Sequence, residues 1–156
     1  NMEIENNNIV DMCQDIFESL ELKAKENKIT LRFAENYLNE ILVSCDKDKI
    51  GQVMQNLIIN AIKYSDPSTE IVVRFTDVER NILIEIEDNG PGIEKKHISR
   101  LFERFYRVDK SRARNEGGTG LGLSIVKHII EAHGHTVQVR SKEGEGSNFF
   151  FTLTKI

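Results

Sequence analysis

The spacing of hydrophobic residues switches along the chain between a helical period and a strict two-residue period. Recurrence every three or four positions predicts helices at residues 9–25, 46–64, 94–105 and 120–133. Apolar residues at every second position predict strands at residues 29–33, 41–44, 70–76, 82–87, 137–139 and 149–153. Asp46 and Asp48 are alternative N-caps for the second helix. Helices mixed with mainly antiparallel hairpins predict an α+β fold, a two-layer α/β sandwich.

One domain accounts for nearly all of the chain. The length of 156 residues and a hydrophobic content of 39% suit a single globular core. Residues 1–8, NMEIENNN, are polar and predict either a frayed lead-in or a cut point within a longer protein, as the remnant of a linker from a preceding segment. We therefore expect the folded domain to cover residues 9–156.

Charge and composition argue against nucleic acid, a membrane and zinc as partners of this domain. The net charge of −4 argues against a nucleic-acid binder. No apolar run approaches the roughly 18 residues of a membrane helix, so we expect a cytoplasmic domain without membrane contact. Cys13 and Cys45 predict reduced, buried thiols, and no pair of histidines has the spacing of a helical zinc motif.

The predicted helix that ends at Tyr64 carries polar side chains beside its apolar face. Asn56, Asn60 and Lys63 lie at i, i+4 and i+7 and form one stripe. Asparagine is a poor helix former, so each asparagine here lowers the stability of the helix. A solvated surface alone would not require asparagine at these positions. An asparagine carbonyl can ligate Mg²⁺ and a lysine can meet phosphate, although a solvated face is the alternative.

A second candidate residue follows the predicted strand at residues 82–87. Asp88 continues the two-residue period of three isoleucines, whereas Glu85 and Glu87 face the other way. A buried carboxylate needs a partner, and the exocyclic amine of a ligand is one such partner. The alternative is a turn in which Asp88 accepts hydrogen bonds from backbone N–H groups.

Two further stretches indicate phosphate chemistry. Residues 117–123, GGTGLGL, precede an apolar helix, and glycines at a helix N-terminus let the backbone approach an anion. Their spacing fits neither the P-loop nor the Rossmann glycine pattern. Residues 94–116 hold eight Lys or Arg and four Asp or Glu, which indicates either a basic cover for phosphates or a solvated loop. The candidate cations are Arg104, Arg107, Lys110, Arg112 and Arg114.

Five segments, in order, resemble the sequence boxes of bacterial sensor histidine kinases. DKIGQVMQNLIINAIKYS (48–65) resembles their asparagine box, and DNGPGI (88–93) resembles their first glycine box. LFERFYR (101–107) resembles the phenylalanine box, GGTGLGLSIVKHI (117–129) the second glycine box, and GEGSNFFFTL (144–153) the terminal glycine-and-phenylalanine segment. The resemblance covers nearly the whole chain, and five boxes in order make it specific.

The resemblance implies the Bergerat type of ATP-binding fold, which gyrase B, the ninety-kilodalton heat-shock chaperones and mismatch-repair ATPases share. It implies a mixed, mainly antiparallel sheet of about five strands backed by three helices. It also implies ATP and Mg²⁺ as cofactors and a mobile ATP lid at residues 94–118, which nucleotide phosphates would order.

Roles for single residues follow from the same resemblance. Asp88 would read the adenine amino group, Asn60 would ligate Mg²⁺, and Tyr64 would pack on the base. The residues implied to act on the phosphates are Asn56, Lys63 and Arg107. Further pocket contacts are implied for Gly90, Gly92, Ile93, Gly118, Thr119, Gly120, Leu121, Gly122 and Leu123. Phe102 and Phe105 would anchor the lid, and the alternative for both is an ordinary core aromatic.

The function implied is transfer of the ATP γ-phosphoryl group to a histidine on another segment. The family's phosphoacceptor histidine precedes an acidic residue on a dimerisation helix, and none of the four histidines here does. We expect that helix to precede this chain, a monomeric fragment, a response regulator downstream and a parent of the inner-membrane sensor type. In the related ATPases a glutamate one turn before the magnesium-binding asparagine activates water, and Asn56 stands at that position.

Two other functions remain open. One is a serine kinase of the anti-sigma-factor type, which shares the fold, and the other is a non-catalytic nucleotide-binding module that signals by docking. The phenylalanine box and the long lid favour the histidine kinase over the former, and intact Asn60 and Asp88 argue against the latter. The family usually has His-Gly-Gly where this chain has His133-Gly134-His135, which predicts only a local change of backbone.

Overall fold

The computed structural model describes residues 1–106 and 122–156. The strands are β1 (Ile4–Asn8), β2 (Ile29–Phe33), β3 (Leu42–Asp46), β4 (Thr69–Val78), β5 (Asn81–Asp88), β6 (Val137–Lys142) and β7 (Gly146–Lys155). The helices are α1 (Ile9–Glu26), α2 (Lys47–Tyr64), α3 (Lys95–Ile98) and α4 (Gly122–Ala132). The candidate residues outside the described ranges are Arg107, Lys110, Arg112, Arg114, Gly118, Thr119, Gly120 and Leu121.

The described strands form one mixed sheet in the order β1-β3-β7-β5-β4-β2, and β6 also pairs with β7. β2 and β4 run parallel, and the other described neighbours run antiparallel. Helices α1, α2 and α4 share a single core with one face of this sheet. The α+β class and the mainly antiparallel two-layer sandwich are therefore confirmed, although the described sheet has seven strands instead of about five.

The core lies between that face of the sheet and the helices. The buried residues of α2 repeat with a helical period and are Ile50, Val53, Met54, Leu57, Ile58, Ala61 and Ile62. The two-residue period of β5 adds Ile82, Ile84 and Ile86 to the same core. The two cysteines are free and buried, as predicted. Among the described helices, none is long and apolar enough to cross a membrane.

The segment at residues 4–8 forms strand β1, so the prediction of a frayed lead-in is wrong there. β1 pairs antiparallel with β3 along its whole length. Its asparagine side chains add to this pairing, because Asn7 Nδ2 donates to the Cys45 carbonyl oxygen at 3.1 Å. Asn8 Oδ1 accepts from the Val10 N–H at 3.1 Å and so caps α1. The origin of this segment as a linker remnant stays a prediction.

The helix predicted at residues 94–105 is shorter in the structure. Only α3 is helical there, and later residues make turns in which an N–H meets the carbonyl three residues earlier. The Glu103 N–H, for example, donates to the Arg100 carbonyl oxygen at 3.0 Å. Phe105 has a φ of 66°, a left-handed conformation that ends any right-handed helix.

The turn after α4 needs one glycine and not two. α4 ends at Ala132, and Gly134 has a φ of 80°, whereas His135 is not among the residues with positive φ. His135 instead bonds through its ring, with Nδ1 at 2.8 Å from Thr152 Oγ1 and Nε2 at 3.1 Å from Thr154 Oγ1. A side chain therefore fits where the family usually has a second glycine.

Asp46 joins three parts of the chain at the start of α2. Its Oδ1 accepts from the Lys49 N–H at 3.1 Å, so Asp46 and not Asp48 is the N-cap. Its Oδ2 accepts from the Glu3 N–H at 2.9 Å, and its own N–H donates to His133 Nε2 at 3.1 Å. The N–H groups of Glu3 and Lys49 lower the pKa of the Asp46 carboxyl below its ordinary value.

We expect Asp46→Ala to lower the free energy of unfolding by about 1–2 kcal/mol, because the cap is lost together with the bond to the N-terminal segment. The exposed Asp48 is the matched control, and Asp48→Ala should cost about 0.5 kcal/mol or less. Because the folded-state pKa of Asp46 is lowered, its contribution exists above the unfolded-state pKa and disappears as the pH falls through the folded-state value. Urea unfolding at neutral and acidic pH measures both effects, and equal losses for the two variants would contradict the assigned cap.

Candidate nucleotide-binding site

Helix α2 presents the polar stripe that the sequence predicts. Asn56, Asn60 and Lys63 are all half-buried. They border Leu57 and Ala61, which are buried in the core. The stripe therefore follows the edge of the core and does not lie on a fully solvated face of the helix.

Asp88 ends β5 on the core-facing side of the strand and is only 8% exposed. The Gly90 N–H donates to Asp88 Oδ1 at 2.9 Å, and Ser147 pairs with Asp88 across β5 and β7, where its backbone N–H lowers the pKa of this carboxyl. Burial raises the pKa of Asp88 above its ordinary value, and the two N–H groups offset only part of that effect. The turn that the sequence leaves as an alternative is thus present, and it holds a buried carboxylate at the edge of the core.

Gly90 brings the end of β5 against the end of α2. A Cβ on Gly90 would stand 2.7 Å from the Tyr64 carbonyl oxygen, 3.1 Å from Asp88 Oδ1 and 3.2 Å from Ser65 Cα. Any larger residue would push these two elements apart, so this contact requires glycine. Ser65 is 6% exposed, and its hydroxyl has no hydrogen-bond partner within the described ranges. Ser65 could not be identified as a site residue from the sequence, because one serine after a helix forms no pattern.

The first glycine loop, residues 89–93, is clamped onto the turn between β6 and β7. A Cβ on Gly92 would stand 2.2 Å from a backbone carbonyl oxygen of β6. A Cβ on Gly146, at the start of β7, would stand 2.1 Å from the Asp88 carbonyl oxygen. Both glycines also have positive φ, 77° and 97°. Close backbone packing therefore fixes the loop that carries Gly90, Gly92 and Ile93.

The opposite end of the α2 stripe meets α4. Asn56 Nδ2 donates to the Gly122 carbonyl oxygen at 3.5 Å. Gly122 is the first residue of α4, and Leu123 packs partly buried against the core. Because α2 rises about 1.5 Å per residue, the distance along its axis from Asn56 to Tyr64 is about 12 Å. The described site is thus an edge of that length between α4 and the end of β5.

Of the two phenylalanines in the phenylalanine box, one packs against the core and the other is exposed. Phe102 packs edge to face on Phe149, with ring centroids 6.2 Å apart, and so belongs with the core aromatics. Phe105 is 64% exposed, and Arg104 is exposed beside it. A lid-anchoring role for either phenylalanine stays a prediction, because part of the predicted lid, residues 94–118, lies outside the described residues.

The donor set suits Mg²⁺ better than a transition metal. Within residues 1–106 and 122–156, no group of three or more His, Cys, Asp or Glu side chains could hold a metal ion. Asn60 offers one amide oxygen in the middle of the stripe. A single protein oxygen fits Mg²⁺, which prefers oxygen ligands, keeps several waters and binds substrate phosphates.

The chain is similar in sequence and in fold to known proteins. The family model described as "Histidine kinase-, DNA gyrase B-, and HSP90-like ATPase" matches residues 45–155. The sensor protein SrrB of Staphylococcus aureus (strain NCTC 8325 / PS 47) is 38% identical over 136 residues, which make up 87% of this chain and 23% of that protein. The chain therefore spans about a quarter of the length of this curated relative.

Solved structures give the same result. The nucleotide-free catalytic domain of histidine kinase ThkA is similar with a TM-score of 0.85 and 28% identity, covering 99% of this chain and 97% of that one. The histidine kinase AdeS of Acinetobacter baumannii is similar with a TM-score of 0.78 and 27% identity, covering 99% of this chain and 68% of that one.

The chain belongs to the histidine kinase-, DNA gyrase B- and HSP90-like ATPase family. Within that family, both its sequence and its fold group it with the catalytic domains of sensor histidine kinases. The membership that the five sequence boxes predict is therefore confirmed, and so is the use of ATP by a domain of this type.

We expect Gly146→Ala to lower the free energy of unfolding by about 2–5 kcal/mol, because its Cβ must displace the Asp88 carbonyl group in addition to straining the backbone. Gly144 is the matched control, since it lies in the same turn with a φ of 82° and has open space around its Cβ position. Gly144→Ala should therefore cost only about 1 kcal/mol. Chemical denaturation measures both, and equal losses would show that backbone strain alone governs this turn.

Proposed function

We propose that this domain binds ATP with Mg²⁺ between α2 and the glycine loops, and delivers the γ-phosphoryl group to a histidine of a separate phosphoacceptor segment in two-component signalling. The observation that carries the proposal is the buried Asp88, which adjoins the polar stripe of α2 at Gly90. A carboxylate at one end and amides with an amine along the stripe suit a ligand that has a base at one end and phosphates at the other.

The β5 end of the site is assigned to the base. Asp88 would accept a hydrogen bond from the exocyclic amine of adenine, and the half-buried Tyr64 would pack on the ring. Guanine presents a carbonyl oxygen where adenine has its amine, so it would set two acceptors against each other. Gly90, Gly92 and Ile93 would line this end from the first glycine loop.

The α4 end of the site is assigned to the phosphates. Mg²⁺, when bound through the Asn60 carbonyl, supplies positive charge that neutralises phosphate oxygens. Asn56 faces Gly122 at the start of α4, where helix N–H groups favour an anion. Lys63 lies next to Tyr64 at the other end of the stripe, and its flexible side chain would extend along α2 to add a second cation near the phosphates. The residues proposed to complete this end from outside the described ranges are Arg107, Gly118, Thr119, Gly120 and Leu121, with Leu123 on α4.

The phosphoacceptor is assigned to another segment of the parent protein. His133 and His135 each use both ring nitrogens in hydrogen bonds, and His97 Nδ1 contacts the Tyr106 hydroxyl. His128 is exposed on α4, but no acidic residue follows it. We propose that the isolated domain is a cytoplasmic monomer, that the parent is a membrane sensor, and that a response regulator receives the phosphoryl group.

Replacement of Asp88 by asparagine tests the recognition of adenine. We expect the wild-type domain to bind Mg-ATP at least about tenfold tighter than Mg-GTP, and Asp88→Asn to lose most of that preference, because a carboxylate accepts from the amine but opposes a carbonyl. Glu87→Gln is the matched control, because Glu87 is the neighbouring β5 residue on the opposite face. Calorimetry with both nucleotides decides, and equal affinities in the wild type would refute this role of Asp88.

Phosphotransfer should need a second component. The domain alone should bind ATP without labelling itself, because the phosphoacceptor histidine is assigned to another segment. It should also not turn ATP over at an appreciable rate, because the Asn56 amide cannot accept a proton from water. A separate dimerisation segment that carries its histidine should become labelled, though weakly, because the link that raises effective concentration is missing. The measurement is radiolabel from γ-labelled ATP on each component, with phosphate release followed in parallel.

Three results would contradict this assignment. Acid-labile label on the domain alone would place an acceptor histidine within it. Acid-stable label on a partner's serine would favour the serine-kinase alternative. Steady ATP turnover that Asn60→Ala abolishes, and that a mock purification lacks, would show that water is activated in this site.

A further inference from the structure

The hydroxyl of Ser141, near the end of β6, lies where three segments of the chain meet. Its Oγ accepts from the Ile93 N–H at 2.7 Å and donates to the Gly146 carbonyl oxygen at 2.9 Å. The Ser147 Oγ also lies 2.9 Å from it. One side chain thus joins the first glycine loop, β6 and the start of β7.

The number of donors and acceptors assigns a direction to each bond. A serine hydroxyl has one proton to donate and two lone pairs that accept. If the Ser141 proton goes to Gly146, the Ser147 hydroxyl donates to Ser141 Oγ, and the Ile93 N–H uses the remaining lone pair. The hydroxyl is then fully used, and among the other side chains threonine alone carries the same group on a β-carbon.

Both β7 residues that Ser141 holds also touch Asp88. Ser147 is 8% exposed and lies directly opposite Asp88 in the register of β5 and β7. Gly146 packs against the Asp88 carbonyl group so closely that no Cβ fits between them. The Ser141 hydroxyl is therefore only two contacts away from Asp88.

We propose that Ser141 is a positioning residue that fixes Asp88 for recognition of the adenine amine, a role that rests on the function proposed above. Ser141 acts on Asp88 from two directions, through Ile93 in the loop that follows it and through Ser147 in the strand beside it. Removal of the hydroxyl leaves the Ile93 N–H and the Gly146 carbonyl without this partner. The loop and the strand can then shift, and the carboxylate no longer meets the amine in a fixed geometry.

The test compares ATP with purine riboside triphosphate, which lacks the exocyclic amine, in calorimetric titrations with Mg²⁺. Ser141→Ala should weaken ATP binding about tenfold and analogue binding less than about threefold, because only ATP uses the Asp88 carboxylate. Ser141→Thr keeps the hydroxyl and should bind ATP within about threefold of wild type. Ser19→Ala is the matched control, since it removes a 2.8 Å bond to the Ile16 carbonyl on α1 and should leave both affinities unchanged.

Each possible outcome bears on the proposal. Equal weakening of both ligands by Ser141→Ala, or failure of Ser141→Thr to restore ATP binding, would overturn the positioning role. A wild-type domain that binds both ligands equally well would instead show that Asp88 does not read the amine, which refutes the proposed adenine recognition and this role with it. If Ser141→Ala does not fold, Ser141→Cys retains the volume with a weaker donor, and an unselective result there would also overturn the proposal.

Discussion

The packing of α2 on the sheet is the constraint on which the site depends. The helix buries seven side chains, and protein interiors are packed too densely for such a helix to slide or rotate without opening cavities. The half-buried stripe of Asn56, Asn60 and Lys63 is thereby held at a fixed place between α4 and the end of β5. Gly90 then sets the gap between the two elements, because any Cβ there would meet the Tyr64 carbonyl group.

Local periodicity predicts the parts of the fold that each segment determines for itself. The bounds of α1, α2 and β5 follow from spacing alone within one or two residues, since the buried face of each repeats regularly. β1 could not be predicted in this way, because asparagine is depleted in strands. β1 is held in an extended conformation by β3, through strand pairing and through the hydrogen bond from Asn7 to Cys45, which is 38 positions away. The early end of the helix predicted at residues 94–105 could not be predicted either, because no local pattern indicates the left-handed backbone conformation of Phe105.

The candidate site also contains some residues that local periodicity predicts and others that depend on distant segments. Asp88 could be predicted because the two-residue period of β5 extends to it, and the same period correctly turns Glu85 away from the helices. The burial of Glu85, which is only 8% exposed, could not be predicted, because its partners lie on other strands. Asn148 Nδ2 of β7 donates to Glu85 Oε2 at 2.8 Å, and Arg140 of β6 lies 3.7 Å from the same oxygen. Ser65 and Ser141 could not be predicted from the sequence either, because a single serine has no periodicity and its neighbours come from distant segments.

The burial of Asp88 explains the tight packing around it. Its raised pKa means that the folded protein disfavours the charged form relative to water, so the fold is less stable for holding a carboxylate there. The N–H groups of Gly90 and Ser147 offset part of this loss, and each can do so only while its own segment stays in place. The close contacts at Gly90 and Gly146 supply that rigidity. The same contacts that make the buried charge tolerable therefore also preorganise it, because a carboxylate fixed before a ligand arrives needs no reordering when the ligand binds.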